Sequence, residues 1–178
     1  MTPKVILISG PSGAGKTSLV KALQEALLPS VWLSFSVDSI IYSLPESTLN
    51  RCNLHNDWSG VDGGALYRGA FSCLRALVDS GNNVIFDIVL TSPKRADALL
   101  AQLVGVEVIT VGLECSWSEI ERRTLARGDR TLEEARLSFE KSPGLLKHDF
   151  VIDTTALSPG QIAEQLALKI RVPDLTRP

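Results

Sequence analysis

The sequence predicts an α/β fold of three layers, in which a five-stranded parallel sheet lies between helices on both faces. Short apolar runs rich in β-branched residues alternate along the chain with segments whose apolar residues recur at helical spacing. Because successive parallel strands need a long crossover, usually a helix, this alternation is typical of the class. The 178 residues, 44% of them apolar, are enough for a single domain over residues 1–178.

Five strands are predicted, each a short apolar run bounded by turn-forming or polar residues. They cover residues 5–8, 32–37, 83–87, 106–111 and 150–152. Helices are predicted between them. The last helix is expected to begin at Ser158, with Pro159 at its first helical position and Gln161 completing a capping box. Residues 46–64, which read ESTLNRCNLHNDWSGVDGG, show no periodicity and are predicted to form an irregular insertion. The tail from Pro173 is expected to fray.

Charge and composition argue against several functional classes. The formal net charge of −2 gives no broad positive surface for nucleic acid or an anionic membrane. No apolar run approaches the ~20 residues of a membrane-spanning helix, and the N-terminal run is too short for a signal peptide. Cys52, Cys73 and Cys115 are scattered, which suits a reducing compartment, and neither His55 nor His148 has a partner by spacing. We therefore expect a cytoplasmic protein without nucleic-acid or membrane partners.

The most informative stretch is GPSGAGKT at residues 10–17, which matches the pattern G-x-x-x-x-G-K-[ST]. A predicted strand precedes it and a predicted helix follows. Glycines allow the main-chain amides of such a loop to point at phosphate oxygens, and the helix N-terminus adds its positive end. The alternative is a fortuitous flexible turn. The stretch predicts a P-loop, and with it a P-loop NTPase fold that binds a nucleoside triphosphate.

Several side chains around the P-loop are expected to contact the triphosphate or its metal ion. Lys16 is expected to reach the β- and γ-phosphates, and the Thr17 hydroxyl to hold Mg²⁺. Asp87, at the end of the third predicted strand, is a candidate to orient the same ion through water; the alternative is an ordinary strand-end aspartate. The predicted nucleotide-binding residues of the loop are Gly10, Pro11, Ser12, Gly13, Ala14, Gly15, Lys16, Thr17 and Ser18.

Asp38 is the candidate general base. It closes the second predicted strand, and open α/β sheets bind their ligands beyond the carboxyl ends of the strands. A carboxylate there is able to accept the proton of an attacking hydroxyl. The alternative is an N-cap for a short helix that begins at Ser39. The irregular insertion is expected to build the acceptor pocket with Trp58 and Leu54, although a core position for Trp58 stays equally open.

Three arginines follow the fourth predicted strand. Arg123, Arg127 and Arg130 are spaced so that one continuous helix would carry them on a single face, but Gly128 is expected to break that helix. We interpret residues 119–147 as a mobile lid, with Arg127 and Arg130 catalytic and Arg123 a nucleotide contact. Lid arginines neutralise charge on a transferring phosphoryl group. The alternative is an exposed arginine cluster without such a role.

The predicted base indicates which kind of acceptor is phosphorylated. A nucleoside monophosphate is already anionic and needs arginines but no base, whereas a neutral alcohol gains from a carboxylate that takes its proton. Asp38 therefore favours transfer to a hydroxyl group. The sequence has no N-K-x-D segment, which disfavours a GTPase. A nucleotide or nucleoside kinase and a nucleotide-binding module without transfer activity stay open as alternatives.

Four segments together resemble the chloramphenicol phosphotransferase-like family of P-loop kinases. They are GPSGAGKT, FSVDS at 35–39, ARGDR at 126–130 and DTT at 153–155, and the resemblance covers nearly the whole chain. It implies a shikimate-kinase-like fold with a small helical lid, and transfer of the ATP γ-phosphoryl group, with Mg²⁺, to a primary hydroxyl of chloramphenicol. It also implies that Asp38 is the base and that Arg127 and Arg130 lie near the phosphates.

The sequence departs from this family pattern in two places. Two acidic residues adjoin after the third strand of the family, whereas Asp87 here is followed by Ile88. The region between Asp38 and Tyr67, which is expected to build the acceptor pocket, is shorter. The chemistry therefore carries over better than the substrate. The expected partners are ATP and a small hydroxyl-bearing acceptor, and the sequence leaves the oligomeric state open, a homo-oligomer included.

Overall fold

A computed structural model describes residues 4–128 and 131–171. In this part of the chain the strands are β1 (Lys4–Ser9), β2 (Trp32–Ser36), β3 (Asn83–Ile88), β4 (Glu107–Glu114) and β5 (Phe150–Asp153). The helices are α1 (Lys16–Ala26), α2 (Val37–Ile41), α3 (Glu46–His55), α4 (Gly63–Asp79), α5 (Pro93–Gln102), α6 (Trp117–Arg127), α7 (Leu132–Lys141) and α8 (Pro159–Arg171).

The five strands form one parallel sheet in the order β2-β3-β1-β4-β5. The predicted three-layer α/β architecture is confirmed. β1 lies at the centre, so the loop that follows it opens at the middle of the sheet's carboxyl edge. The register pairs Ile8 of β1 with Asp87 of β3, and Asp87 with Ser36 of β2. The ends of β2 and β3 therefore flank the end of β1 on one side.

Alternate residues of the central strand enter two separate apolar cores. Ile6 and Ile8 pack with α1 and α8 on one face, whereas Val5 and Leu7 pack with α4 and α5 on the other. All four side chains are fully buried, as expected for a strand that helices cover on both faces.

Local capping sets most helix starts. Ser92, Ser116 and Thr131 each accept a hydrogen bond from a main-chain amide in the first turn of α5, α6 and α7. The predicted start of α8 is confirmed: the Ser158 amide donates to Gln161 Oε1 at 3.0 Å, and the Gln161 amide donates back to Ser158 Oγ at 3.3 Å.

The prediction of an irregular insertion over residues 46–64 is wrong for most of its length, because Glu46–His55 forms helix α3 and α4 begins at Gly63. The sequence pattern did not predict this helix because few of its residues are apolar, and Cys52 is its buried residue. Asn56 ends it with a left-handed backbone conformation, φ 50°. The irregular part is thus confined to residues 56–62.

The strand ends also differ from the prediction, by one residue in four strands and by three in β4. β2 ends at Ser36 rather than at residue 37, because Val37 already belongs to α2. β4 continues to Glu114 rather than stopping at residue 111. Gly112 interrupts its apolar run for a packing reason, since a Cβ there would lie 2.7 Å from the ring of His148.

Helix α6 ends as Gly128 predicts. This glycine has a φ of 65° and its amide donates to the Thr124 carbonyl at the end of the helix. Arg123 and Arg127 therefore share α6, whereas Arg130 and the tail from Pro173 lie outside the described residues. Across residues 4–128 and 131–171, no helix is both long enough and apolar enough to cross a membrane.

Candidate active site

The P-loop (residues 10–18) joins β1 to α1 and depends on its glycines. Gly13 and Gly15 have φ values of 83° and 91°, the left-handed region that side chains disfavour. Gly10 is required for close packing, because a Cβ there would lie 2.7 Å from the carbonyl oxygen of Leu113. Gly15 occupies the N-cap position of α1 and offers no side-chain cap. The loop therefore presents main-chain groups, rather than side chains, at the N-terminus of this helix.

Lys16 holds its charge inside the P-loop. Only 8% of the residue is exposed, and its Nζ donates hydrogen bonds to the carbonyl oxygens of Gly10 at 3.0 Å and Pro11 at 2.7 Å. The ammonium group is thus fixed within the loop by charge-assisted hydrogen bonds, next to the start of α1. A cation and a helix N-terminus at one place make a site for a polyanion.

The predicted nucleotide contact Arg123 braces the P-loop from outside. Its Nε donates to Glu119 at 2.8 Å, its Nη2 to the carbonyl of Thr154 at 2.8 Å and its Nη1 to the carbonyl of Gly13 at 3.4 Å. Hydrogen bonds from Arg122 and Arg123 lower the pKa of Glu119 to about 2. This carboxylate, which fixes the arginine against the loop, was missed from the sequence, although a Glu four residues before an Arg on one helix is typical of such a pair.

A cavity of about 230 Å³ opens beside the braced loop. Its lining includes Gly15, Ser18, Arg123, Leu157 and Pro159, so it lies between the start of α1, α6 and the segment before α8. It is of a size to enclose one planar heterocycle, with the Arg123 guanidinium and apolar surface as walls. The structure thus brings Arg123 together with the P-loop residues predicted to bind a nucleotide.

Asp87 and Thr17, the predicted magnesium ligands, lie on the same side of the sheet. Asp87 follows Ile85 by two positions in β3, and Ile85 packs in the core that contains α1, so both lie on the face of the sheet that α1 covers. Thr17 lies in the first turn of α1. Hydroxyl and carboxylate oxygens are hard donors, and Mg²⁺ in phosphotransferases takes few protein ligands besides phosphate oxygens and water. The residues therefore fit this ion.

Asp38 lies in the first turn of α2 and does not cap it. The cap is Ser36, whose Oγ accepts from the Ser39 amide at 3.3 Å, while Ser39 Oγ accepts from the Ser36 amide at 3.2 Å. The alternative interpretation of Asp38 as an N-cap is therefore wrong. Its side chain is half-buried, two residues past the position where β2 pairs with Asp87.

The structure describes both residues of the predicted acceptor pocket, Leu54 and Trp58. Leu54 lies on α3 with 66% of its surface exposed. The neighbouring Asp57 forms an ion pair with Arg51 at 3.4 Å and accepts a hydrogen bond from the Ser59 amide. Trp58 is half-buried. A pocket role for Leu54 and Trp58 therefore stays a prediction. Asp57 bonds to residues of its own loop and of the adjoining α3.

One polar pair was missed from the sequence. His148, predicted to lack a partner, is hydrogen-bonded through Nε2 to Ser9 Oγ at 2.7 Å, across 139 positions of the chain. Burial lowers the pKa of this imidazole below its ordinary value of 6.5. The pair borders a second cavity, of about 540 Å³, over β4 and β5. No local pattern predicts such a contact, because it forms only when β5, which follows His148, pairs with β4 in the sheet.

A family model described as chloramphenicol phosphotransferase-like protein matches residues 3–171. The chain belongs to this family. A protein of Mycobacterium tuberculosis (strain H37Rv), provisionally named an O-phosphotransferase, is 30% identical over 92% of this chain and 80% of its own length. Guanylate kinases also match, more weakly; that of Thermobifida fusca is 25% identical over 96% of the chain and 92% of its own length.

Solved structures share the fold. The tunicamycin resistance protein of Deinococcus radiodurans superposes with a TM-score of 0.69 at 20% identity, over 96% of both chains. The shikimate kinase of Acinetobacter baumannii, in complex with shikimate, gives a TM-score of 0.61 at 19% identity, also over 96% of both chains. The predicted shikimate-kinase-like P-loop fold is thereby confirmed. The family and its curated relative, rather than these structures, make the chain an ATP-dependent kinase of small molecules.

Proposed function

We propose that this protein transfers the γ-phosphoryl group of ATP to a hydroxyl group of a small molecule, with Asp38 as the general base. The position of Asp38 carries the proposal. Because Ser36 caps α2, the Asp38 carboxylate is not required to cap the helix. It lies just past the carboxyl end of β2, at the same sheet edge as the P-loop and Asp87. A carboxylate at that edge is useful for an acceptor that must lose a proton.

The P-loop supplies the binding and charge compensation. Lys16 and the main-chain amides at the start of α1 would neutralise the terminal phosphates, which is supported by the fixed position of the ammonium group within the P-loop. Arg123 and the cavity beside it would receive the base of the nucleotide. Thr17 and Asp87 would hold Mg²⁺ together with phosphate oxygens, and the ion would supply further neutralisation of the triphosphate. These residues would orient ATP, the phosphoryl donor. Selection among acceptor molecules would then depend on the chain between β2 and α4.

Arg127, at the end of α6, is the next residue of the proposed site. Arg127 lies in the last turn of α6, directly before the left-handed Gly128. Such a glycine allows the following segment to leave the helix axis, so Arg127 is placed at the base of the proposed lid. The same role is proposed for Arg130 on the resemblance of the ARGDR segment alone.

An acceptor screen tests the proposal. The purified protein is incubated with Mg-ATP and a library of small alcohols, and products heavier by one phosphoryl group are sought by mass spectrometry. Chloramphenicol is the first acceptor, because the family bears its name, and tunicamycin is included because of the Deinococcus neighbour. GMP, AMP, CMP and adenylylsulfate are tested in parallel. Rapid turnover of these anionic acceptors alone would replace the proposal with a nucleotide-type kinase.

The role of Asp38 is tested by Asp38→Asn, which removes the charge and keeps the shape. With an acceptor in hand, we expect kcat to fall by about 10²- to 10⁴-fold, the usual contribution of a general base. The Kd for the non-hydrolysable analogue AMPPNP should stay within about twofold of the wild-type value. Asp79→Asn, at the far end of α4, is the matched control and should leave both quantities unchanged. Full turnover by the Asp38 variant would exclude the base assignment.

A further inference from the structure

Thr154 connects three parts of the molecule at one point. It follows β5 directly, and only 4% of the residue is exposed. Its amide donates to the carbonyl of Glu114, at the end of β4, at 2.8 Å. Its carbonyl accepts from Arg123 on α6 at 2.8 Å. Its hydroxyl donates to the carbonyl oxygen of Ala14, in the P-loop, at 2.8 Å and lies 3.1 Å from the carbonyl oxygen of Glu114.

The hydroxyl contact with Ala14 determines which way one peptide group of the P-loop faces. The Ala14 carbonyl and the Gly15 amide belong to the same planar peptide unit and point in opposite directions. A donor that holds the carbonyl outward therefore turns the Gly15 amide toward the inner side of the loop. Gly15 has a φ of 91° and no side chain, so its own conformation restrains this peptide weakly. The restraint must come from outside the loop.

We propose that Thr154 is a positioning residue for phosphate binding: its hydroxyl fixes the peptide between Ala14 and Gly15 so that the Gly15 amide faces the nucleotide phosphates. The inference rests on the proposed function only in taking the P-loop as the phosphate site. Arg123 also donates from outside the loop, to the carbonyl of the preceding residue Gly13, but over a longer distance of 3.4 Å. Thr154 is thus the closer of these two outer restraints on the loop.

Three variants separate orientation from general stability. Thr154→Val keeps the shape and removes the hydroxyl, whereas Thr154→Ser keeps the hydroxyl and removes the methyl group. Thr155→Val is the matched control, since the Thr155 hydroxyl also bonds a main-chain group 39 positions away, the Ser116 amide at 3.0 Å, without contacting the P-loop. The probes are Mg-AMPPNP, which carries the phosphates, and adenosine, which lacks them. Binding of both is measured by calorimetry.

We expect Thr154→Val to weaken Mg-AMPPNP binding by about tenfold, because a buried carbonyl loses its donor and the peptide is released. Adenosine binding should fall by clearly less than Mg-AMPPNP binding, because adenosine has no phosphate for the Gly15 amide to bind, even though Gly15 and Thr154 line the cavity proposed for the base. Thr154→Ser should bind Mg-AMPPNP nearly as tightly as the wild type, and Thr155→Val should be unchanged. Equal binding by the Val and Ser variants, or an equal loss for adenosine, would overturn the inference.

If Thr154→Val fails to fold, Thr154→Cys takes its place, because a thiol is a weak donor of similar size. It should then bind Mg-AMPPNP more weakly than Thr154→Ser, and equal affinity would overturn the proposal. The acceptor does not enter these measurements. A protein that binds Mg-AMPPNP as described but phosphorylates no alcohol therefore contradicts the proposed function while leaving the role of Thr154 intact.

Discussion

The two sides of the carboxyl edge of the sheet are built in different ways. On the donor side, the P-loop is held by hydrogen bonds with α6, α7 and the residue after β5; in the bond with α7 the Ser12 amide donates to Ser138 Oγ at 2.9 Å. On the proposed acceptor side, the chain between β2 and α4 forms the short helices α2 and α3 and the irregular residues 56–62. There Arg51, Asp57 and Ser59 bond mainly to one another.

This difference indicates how a kinase fold keeps one reaction while its acceptors vary. A triphosphate needs many main-chain groups in fixed orientations, so its loop must be restrained from several elements at once. An acceptor site has to fit one molecule among many, and surface helices with small apolar stripes tolerate exchange of side chains. The predictions below test whether substitutions on the donor side have large effects and substitutions on the acceptor side have small ones.

The largest effect is expected at Lys16. Lys16→Met retains the length of the side chain but removes its charge, and we expect kcat for phosphoryl transfer to fall by about 10²- to 10³-fold, the usual loss of one group that stabilises transition-state charge. Lys21→Met is the matched control, because Lys21 lies on the same helix and is exposed. It should retain wild-type kcat. Comparable losses in both variants would show that α1, rather than the Lys16 charge, is the sensitive feature.

A smaller but measurable effect is expected at Gly10. In Gly10→Ala the new methyl group would lie 2.7 Å from the Leu113 carbonyl oxygen, which is main chain and yields little. We expect the free energy of unfolding to fall by about 1–3 kcal/mol, as overpacking usually does. Gly69→Ala, in α4 on the acceptor side, has open space around the new Cβ and should gain about 0.5–1 kcal/mol from helix propensity. Urea denaturation measures both changes.

A still smaller effect depends on pH and arises at His148. Burial lowers the pKa of this imidazole below 6.5, so the unfolded chain binds the proton more readily than the folded protein. Stability linked to this group is therefore present near pH 7.5 and is lost as the pH falls through 6.5 and below. We expect His148→Gln to lose less stability than the wild type between pH 7.5 and 5.5, measured by urea denaturation. Parallel pH profiles for the two proteins would contradict this assignment.

The smallest change in stability is expected at Leu54. Because 66% of its surface is exposed, Leu54→Ser should alter the free energy of unfolding by less than about 0.5 kcal/mol. If α3 contributes to the acceptor site, the same variant should raise KM for the acceptor and leave KM for ATP unchanged. A large loss of stability would show that the acceptor side is packed as firmly as the donor side, and the comparison drawn above would fail.

The sequence by itself determined the layered fold, the P-loop and most strand boundaries to within one residue, because these depend on short-range properties. Alternation of apolar runs with helical spacing specifies a parallel sheet, and the glycines of GPSGAGKT specify a loop of exposed amides whatever surrounds it. The sequence also identified Gly128 as the end of α6 and Ser158 as the cap of α8, since capping is a local interaction.

Only the tertiary structure decided which groups restrain that loop. Ser9 and His148 are 139 positions apart, and Thr154 is 140 positions from Ala14. No local pattern encodes such contacts, because they exist only once β4 and β5 join the sheet beside β1. Helix α3 was missed for a related reason, since its low apolar content leaves the surrounding fold, rather than its own periodicity, to stabilise it.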